Sequence, residues 1–320
     1  MLTKTITSKS HEEWLRCREM GIGSSEVATV LGVNPFDTPY QLWLRKTGRI
    51  PAVEQENFIM KAGHYLEDAI SRFCADEARL EVVKSSSAEF VVIDREKPFL
   101  RVSPDRYAFP VDAKHTQENK TIIECKSTQK PVDPDNLSRY WFCQAMYQMR
   151  VTRIGTAHVA WLTQGRDFGY KRLVYDPDFA GFLVEEVERF WIDCVIGGQE
   201  PALSNLQDVL IKFPKHQEGK RLIATDEVVG MWAELKDTNA EIKRLTAVKE
   251  ALEEKIKSKM LDAESLVIPA DSDTPERTIA TWKASKDSKK FDVDALKTEE
   301  PQVYARYLRD TEGSRRFSLK

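Results

Sequence analysis

The chain is predicted to adopt an α/β fold of the α+β kind, a mixed sheet flanked by helices. Three observations predict it. Amphipathic helical stretches precede a run of short β-branched segments between residues 88 and 123. A helix-like segment and further strand-like segments then alternate, which is the order of a mixed sheet covered by helices. The length of 320 residues, with 41% hydrophobic and 31% charged content, allows a sizeable core plus an appendage.

The elements follow in order. His11–Arg18 reads as a short helix carrying Trp14 and Leu15. The turn Gly21-Ile22-Gly23-Ser24-Ser25-Glu26 opens a second helix, with Ser24 or Ser25 as its expected N-cap. Gly32 closes that helix and Pro35 blocks its continuation. Thr38 starts a third, with Pro39 in its first turn. Gly63–Ala78 is amphipathic, with Leu66, Ile70 and Phe73 on one face. Strands are expected at Phe90–Ile93, Leu100–Ser103, Tyr107–Phe109 and Thr121–Ile123. A helix at Leu137–Met149 follows, then strands at Thr156–Trp161 and Lys171–Tyr175, then a helix at Asp178–Ile196.

Residues 1–200 are therefore expected to form one compact domain, and 201–225 a linker. Residues 226–264 read as a long helix or a helical hairpin. Leu235, Thr238, Ile242, Leu245, Leu252 and Ile256 follow a heptad-like spacing that Lys249 and Lys259 interrupt. Two readings fit that stripe: packing on the same chain, or a short self-associating coiled coil. Residues 265–320 read as a small subdomain with a strand at Thr278–Trp282, a helix near Pro301–Leu308 and a basic end. Ala270–Glu276 is loop-like.

The formal net charge of −3 argues mildly against a generic nucleic-acid binder, although local basic patches fit within a neutral total. The five cysteines, an odd count with no C-x-x-C pair, speak against a disulfide framework, a zinc ribbon and a simple four-cysteine iron–sulfur site. Reduced thiols, no apolar signal core and no membrane-length apolar run lead to the expectation of a cytoplasmic protein.

The candidate site centres on Glu124-Cys125-Lys126. Glu-x-Lys spacing also occurs at Glu118–Lys120, Glu218–Lys220, Glu241–Lys243 and Glu253–Lys255, but only Glu124 follows an apolar run, Thr121-Ile122-Ile123. Period-two alternation puts Glu124 and Lys126 on the same side of a strand end. Such a pair either holds a divalent cation and orients water, or is a surface ion pair on an edge strand. Asp105, nineteen residues upstream, and Glu67 on a helix are the expected co-ligands. The Cys125 carbonyl is a further oxygen donor for magnesium. Glu67 also fits an ordinary surface helix charge, Arg18 a surface arginine and Ser25 a plain N-cap.

An ordered set of motifs spans residues 10–195: Trp14-x-x-x-Arg18, Gly21-Ile22-Gly23-Ser24-Ser25-Glu26, Leu42-Trp43-x-x-Lys46-x-Gly48, Gly63-x-x-x-Glu67, Ser103-Pro104-Asp105, Glu124-Cys125-Lys126 and Gln144. This set resembles the YqaJ-type viral recombinases, phage nucleases similar to lambda exonuclease within the PD-(D/E)xK superfamily. The resemblance implies a restriction-endonuclease-like core with a C-terminal extension. It implies a magnesium-dependent 5′→3′ exodeoxyribonuclease on linear double-stranded DNA, with two ions and manganese as a substitute. Asp105, Glu124 and Glu67 match metal ligands and Lys126 the catalytic lysine. Arg18 and Ser25 match residues for the 5′-phosphate, joined by Ser103 and Gln144. The implied partners are DNA ends and a single-strand annealing protein, with a trimer as the implied assembly and a phage- or prophage-encoded origin in a bacterial host. An endonuclease or nickase, or a non-catalytic DNA-end binding scaffold, are the alternatives. One departure stands out: the family's Gln-x-Gln reads Gln144-Ala145-Met146 here, and Gln148 takes a similar helix face.

Overall fold

The computed structural model describes the chain apart from residues 1, 9, 52–57, 84–89, 272–273 and 312, and the backbone alone at 59 and 60. Part of the expected loop Ala270–Glu276 thus lies outside the described residues. The chain divides into two units, Met1–Lys212 and Phe213–Lys320.

The first unit runs β1 (Thr3–Thr7), α1 (His11–Glu19), α2 (Val27–Val30), α3 (Pro39–Lys46), α4 (Phe58–Ala78), β2 (Leu80–Val83), β3 (Phe90–Asp94), β4 (Arg101–Val102), β5 (Arg106–Pro110), β6 (Thr121–Thr128), α5 (Arg139–Thr152), β7 (Thr156–Thr163), β8 (Asp167–Val174) and α6 (Pro177–Arg189). A π-helical stretch, Phe190–Ile196, and α7 (Leu206–Lys212) complete it. Five strands form one mixed sheet in the order β2-β5-β6-β7-β8, in which only β6 and β7 are parallel. A parallel pair cannot close through a hairpin, so α5 makes the crossover. A small sheet, β1-β3-β4, lies in the same unit.

Both faces of the main sheet are covered, which explains its continuous apolar runs. Ile122, Ala157, Val159 and Trp161 join the core with Tyr147, Met149 and Leu183 of α5 and α6. Ile123, Ala160 and Leu162 point the other way, into a cluster with Ile70 and Cys74 of α4. Each fully buried Ile or Leu contributes about 1.5–3 kcal/mol.

The structure corrects several expectations. Glu124-Cys125-Lys126 is not at a strand end: β6 continues to Thr128 and lies between β5 and β7. Glu124 is buried, so its pair with Lys126 is not a surface ion pair. The N-cap of α2 is Glu26, and neither Ser24 nor Ser25 caps it. The four residues of α2 make too short a helix to concentrate a dipole at Ser25. The polar strands β1 and β2 were not expected. The expected helix to Ile196 turns π-helical from Phe190.

The stretch expected as linker contains α7. Its Asp208 is buried and accepts from Thr38 Oγ1, Gln41 Nε2 and Ser204 N, each at 2.8 Å. These bonds hold α7 in the first unit.

The second unit has one continuous helix, α8 (Asp226–Met260), rather than a hairpin. The antiparallel pair β9 (Ser265–Ile268) and β10 (Arg277–Thr281), then α9 (Val293–Glu299) and α10 (Pro301–Tyr307), follow. The heptad-like Leu235, Ile242, Leu245, Leu252 and Ile256 are exposed. Among the described residues no helix is long and apolar enough to cross a membrane.

Candidate active site

The site forms where β5 and β6 part. Their pairing covers Arg106↔Ile123, Tyr107↔Ile122 and Ala108↔Thr121 and goes no further. Beyond Ile123 the β6 backbone lacks a β5 partner. Asp105, just before β5, fills the gap: its Oδ2 accepts from Cys125 N at 2.7 Å. Cys125 therefore turns its N–H, and with it its carbonyl, toward the Asp105 side.

Glu124 is 2% exposed, and both its oxygens are engaged. Oε1 accepts from Lys126 Nζ at 2.7 Å and from Gln144 Nε2; Oε2 accepts from Gln148 Nε2 at 2.7 Å. Lys126 Nζ also donates to Gln144 Oε1 at 2.9 Å. Gln144 and Gln148 lie one helical turn apart on α5, so both amides reach the same carboxylate. Gln148 thus holds Glu124 where a Gln-x-Gln motif would have led one to look at Met146. The Met146 side chain instead packs in the apolar core.

Glu67 comes from α4. Its Oε1 lies 2.9 Å from His64 Nδ1, and its Oε2 accepts from Arg106 NH1 at 3.3 Å. Arg106 also donates to the Asp105 carbonyl at 2.7 Å and to Asp68 at 2.8 Å. Nothing local in the sequence marks Arg106, because its partners lie on a distant helix.

Charge accumulates here. Burial, then the Glu124 and Glu67 carboxylates, push Asp105 well above the usual carboxylate range. Burial, with Asp105 and Glu124 next, also raises the Cys125 thiol. Burial pulls Lys126 down, but the charges of Glu124, Tyr140 and Asp105 outweigh it and its pKa is raised. Lys126 is therefore a fixed ammonium. Among the described residues no three His, Cys, Asp or Glu groups close into a ready-made cation cage. What the donor set has is carboxylates that destabilise one another's charge, the condition a hard divalent cation relieves.

A cleft of about 170 Å³ adjoins these carboxylates. Arg18, Ser25, Ser103, Asp105 and Gln144 line it together with Trp14, Ser24, His64 and Arg101. Arg18 NH2 donates to Ser25 Oγ at 2.9 Å, and its guanidinium stacks 4.5 Å from the Trp14 ring. The Trp14 indole donates to Ser103 Oγ at 3.3 Å. Trp14 is thus the platform for Arg18. Arg101 is buried and spends its donors on the Cys17 and Pro98 carbonyls. The Arg18 guanidinium, hydrogen-bonded to a neutral hydroxyl, offers the cleft a donor for an anion, and buried Arg101 adds its charge.

The loop bearing Ser24 and Ser25 is fixed by its backbone. Ile22 bridges Leu100, with Ile22 N donating to Phe99 O at 2.8 Å and Arg101 N to Ile22 O at 3.2 Å. Tyr147 Oη donates to Ile22 O at 3.1 Å. Glu26 accepts from Gly23 N at 2.7 Å and pairs with Lys46 at 2.9 Å. Burial opposes its charge, but Lys46 and Arg18 win and its pKa is lowered. Lys46 in turn donates to Arg18 O at 3.2 Å.

All the residues singled out from the sequence thus come together, and Gln144 joins the two halves. It bonds Glu124 and Lys126 and lines the cleft with Arg18 and Ser25.

Residues 13–155, which hold every one of these side chains, match the YqaJ-like viral recombinase domain. A protein of Bacillus subtilis (strain 168), YqaJ, is 28% identical over 324 aligned positions, covering 97% of this chain and 94% of that protein. Among solved structures, an alkaline exonuclease from Laribacter hongkongensis is 17% identical with a TM-score of 0.45, covering 58% of this chain and 93% of that one. A phage related exonuclease from Haemophilus somnus 129PT is 12% identical with a TM-score of 0.40, covering 56% and 96%.

Proposed function

With a YqaJ-like viral recombinase domain over residues 13–155 as the premise, we propose that the protein is a deoxyribonuclease that degrades linear double-stranded DNA from its 5′ ends. Gln144 carries this reading, because it makes the acid–lysine pair and the cationic cleft one continuous site. The Arg18 fork, with the Ser25 and Ser103 hydroxyls, takes the terminal phosphate. Asp105, Glu124 and Glu67, with the Cys125 carbonyl, suit a divalent cation, two magnesium ions in this reading with manganese as a substitute. Bound there, the cation supplies charge neutralisation at the scissile phosphate and an activated water. Lys126, held by Glu124 and Gln144, hydrogen-bonds the phosphate oxygen on which charge develops. Water adds to phosphorus, the bond to the 3′ oxygen breaks, and a mononucleotide leaves. The 3′ single strands left behind are substrates for an annealing protein, and a ring of three subunits would keep the enzyme on its DNA.

Three substrates test this: linear duplex with 5′-phosphate, linear duplex with 5′-hydroxyl, and covalently closed circles. The phosphorylated ends should be digested fastest. Losing hydrogen bonds to a charged group removes about 1.5–3 kcal/mol, roughly 10–100-fold in rate. Circles should survive. Digested circles would make the protein an endonuclease, and no digestion with either cation would overturn the assignment.

A further inference from the structure

We propose that Gln148 is a positioning residue that couples the end-binding cleft to the orientation of Glu124. The proposal rests on the nuclease reading above. Gln148 is completely buried. Its Nε2 donates to Glu124 Oε2 at 2.7 Å and faces Ser24 Oγ at 3.3 Å. Ser24 adjoins Ser25, whose hydroxyl receives Arg18. One amide group thus touches both the carboxylate and the loop that lines the cleft.

The Gln148 Oε1 atom is buried and has no hydrogen-bond partner among the described residues. Turning the amide over would leave its oxygen facing the Glu124 carboxylate, acceptor against acceptor, even though the Ser24 hydroxyl could donate to it. The carboxylate therefore dictates this orientation, and the unpaired oxygen is tolerated for it. Oε1 of Glu124 is fixed by Lys126 and Gln144, but Gln148 is the one hydrogen-bond donor on Oε2 among the described residues. When a terminal phosphate draws on Arg18 and Ser25, the neighbouring Ser24 moves against Gln148. The rotation of Glu124 then follows. Chemistry is thereby favoured when a phosphorylated end is seated.

The experiment compares Gln148→Met, Ser24→Ala and Ser24→Thr in the full chain, each checked by thermal melting. End binding is read without divalent cation by fluorescence anisotropy on 5′-phosphorylated duplex. Gln148→Met should bind within about twofold of wild type, lose at least about tenfold in kcat with KM little changed, and lose much of the preference for phosphorylated over hydroxyl ends. Ser24→Ala should lower that preference and Ser24→Thr restore it, so a misfolded Gln148→Met leaves the Ser24 pair to decide. Wild-type kcat and preference in Gln148→Met, or a rise in KM alone, overturns the coupling. If Gln148→Met does not fold, an unchanged preference in Ser24→Ala overturns it. A wild-type protein that digests both ends at one rate overturns the cleft assignment and the coupling with it.

Discussion

Half-buried Lys126 and buried His158 are titratable groups with opposite destinies. Lys126 is kept charged by the carboxylates around it, so in the nuclease reading its work is electrostatic. Lys126→Met should keep the fold and lower kcat by about 10²–10³, the range for removing one donor from a developing oxyanion. Single-turnover assays at saturating cation check this, and wild-type turnover would remove Lys126 from the chemistry. His158 sits on β7 with Nδ1 3.1 Å from Thr121 Oγ1. Burial, with Arg172 adding to it, lowers its pKa to about 4. Unfolded, it titrates near ~6.5. Between those values the unfolded chain binds a proton that the folded chain refuses. Stability is therefore full above ~6.5 and is lost as pH falls toward 4, by on the order of 3 kcal/mol in all. Urea midpoints across that range should fall less steeply in His158→Asn than in wild type; equal slopes would contradict the assignment.

At the level of elements, legibility followed distance along the chain. The period-two alternation that puts Glu124 and Lys126 on one side needs only neighbouring residues, and the structure keeps it. The extension of β6 to Thr128 did not show, because beyond Ile123 the apolar run gives way to Glu124-Cys125-Lys126-Ser127, which is held in the strand by pairing with β7. The strand β1, Thr-Lys-Thr-Ile-Thr, is held by pairing with β3, about which local pattern is silent. Arg106 was missed for the same reason, since its Glu67 partner is remote in sequence, and Lys46 was part of the motif set but was given no role there. One glycine shows how tightly the cleft loop is tied to its neighbour. A Cβ on Gly21 would lie 2.3 Å from the Phe99 carbonyl oxygen, a backbone atom that cannot swing away. Gly21→Ala should cost about 1–3 kcal/mol, the range for overpacking, and loosen the loop bearing Ser24 and Ser25. Thermal melting gives the first effect, and end-binding affinity the second; a variant matching wild type in both would mean that the loop yields easily.

For the whole molecule, the division lies between α7 and α8. Residues 213–225 are irregular and exposed, and carry Lys215, Lys220 and Arg221. Brief trypsin treatment should cut there first, leaving two fragments near the Lys212 boundary. Early cuts inside β6–β7 instead would argue against the division. The order of the main sheet also has a consequence for synthesis. Antiparallel partners can meet as soon as a hairpin is made, but β6 waits for β7 until α5 has been built. On the ribosome, the stretch with Glu124 and Lys126, which β5 does not pair, has no strand partner until β7 has emerged. The amides of Gln144 and Gln148 arrive in that same interval. A nascent chain therefore carries Glu124 for dozens of codons before the strand beside it and the amides that hold it are all in place.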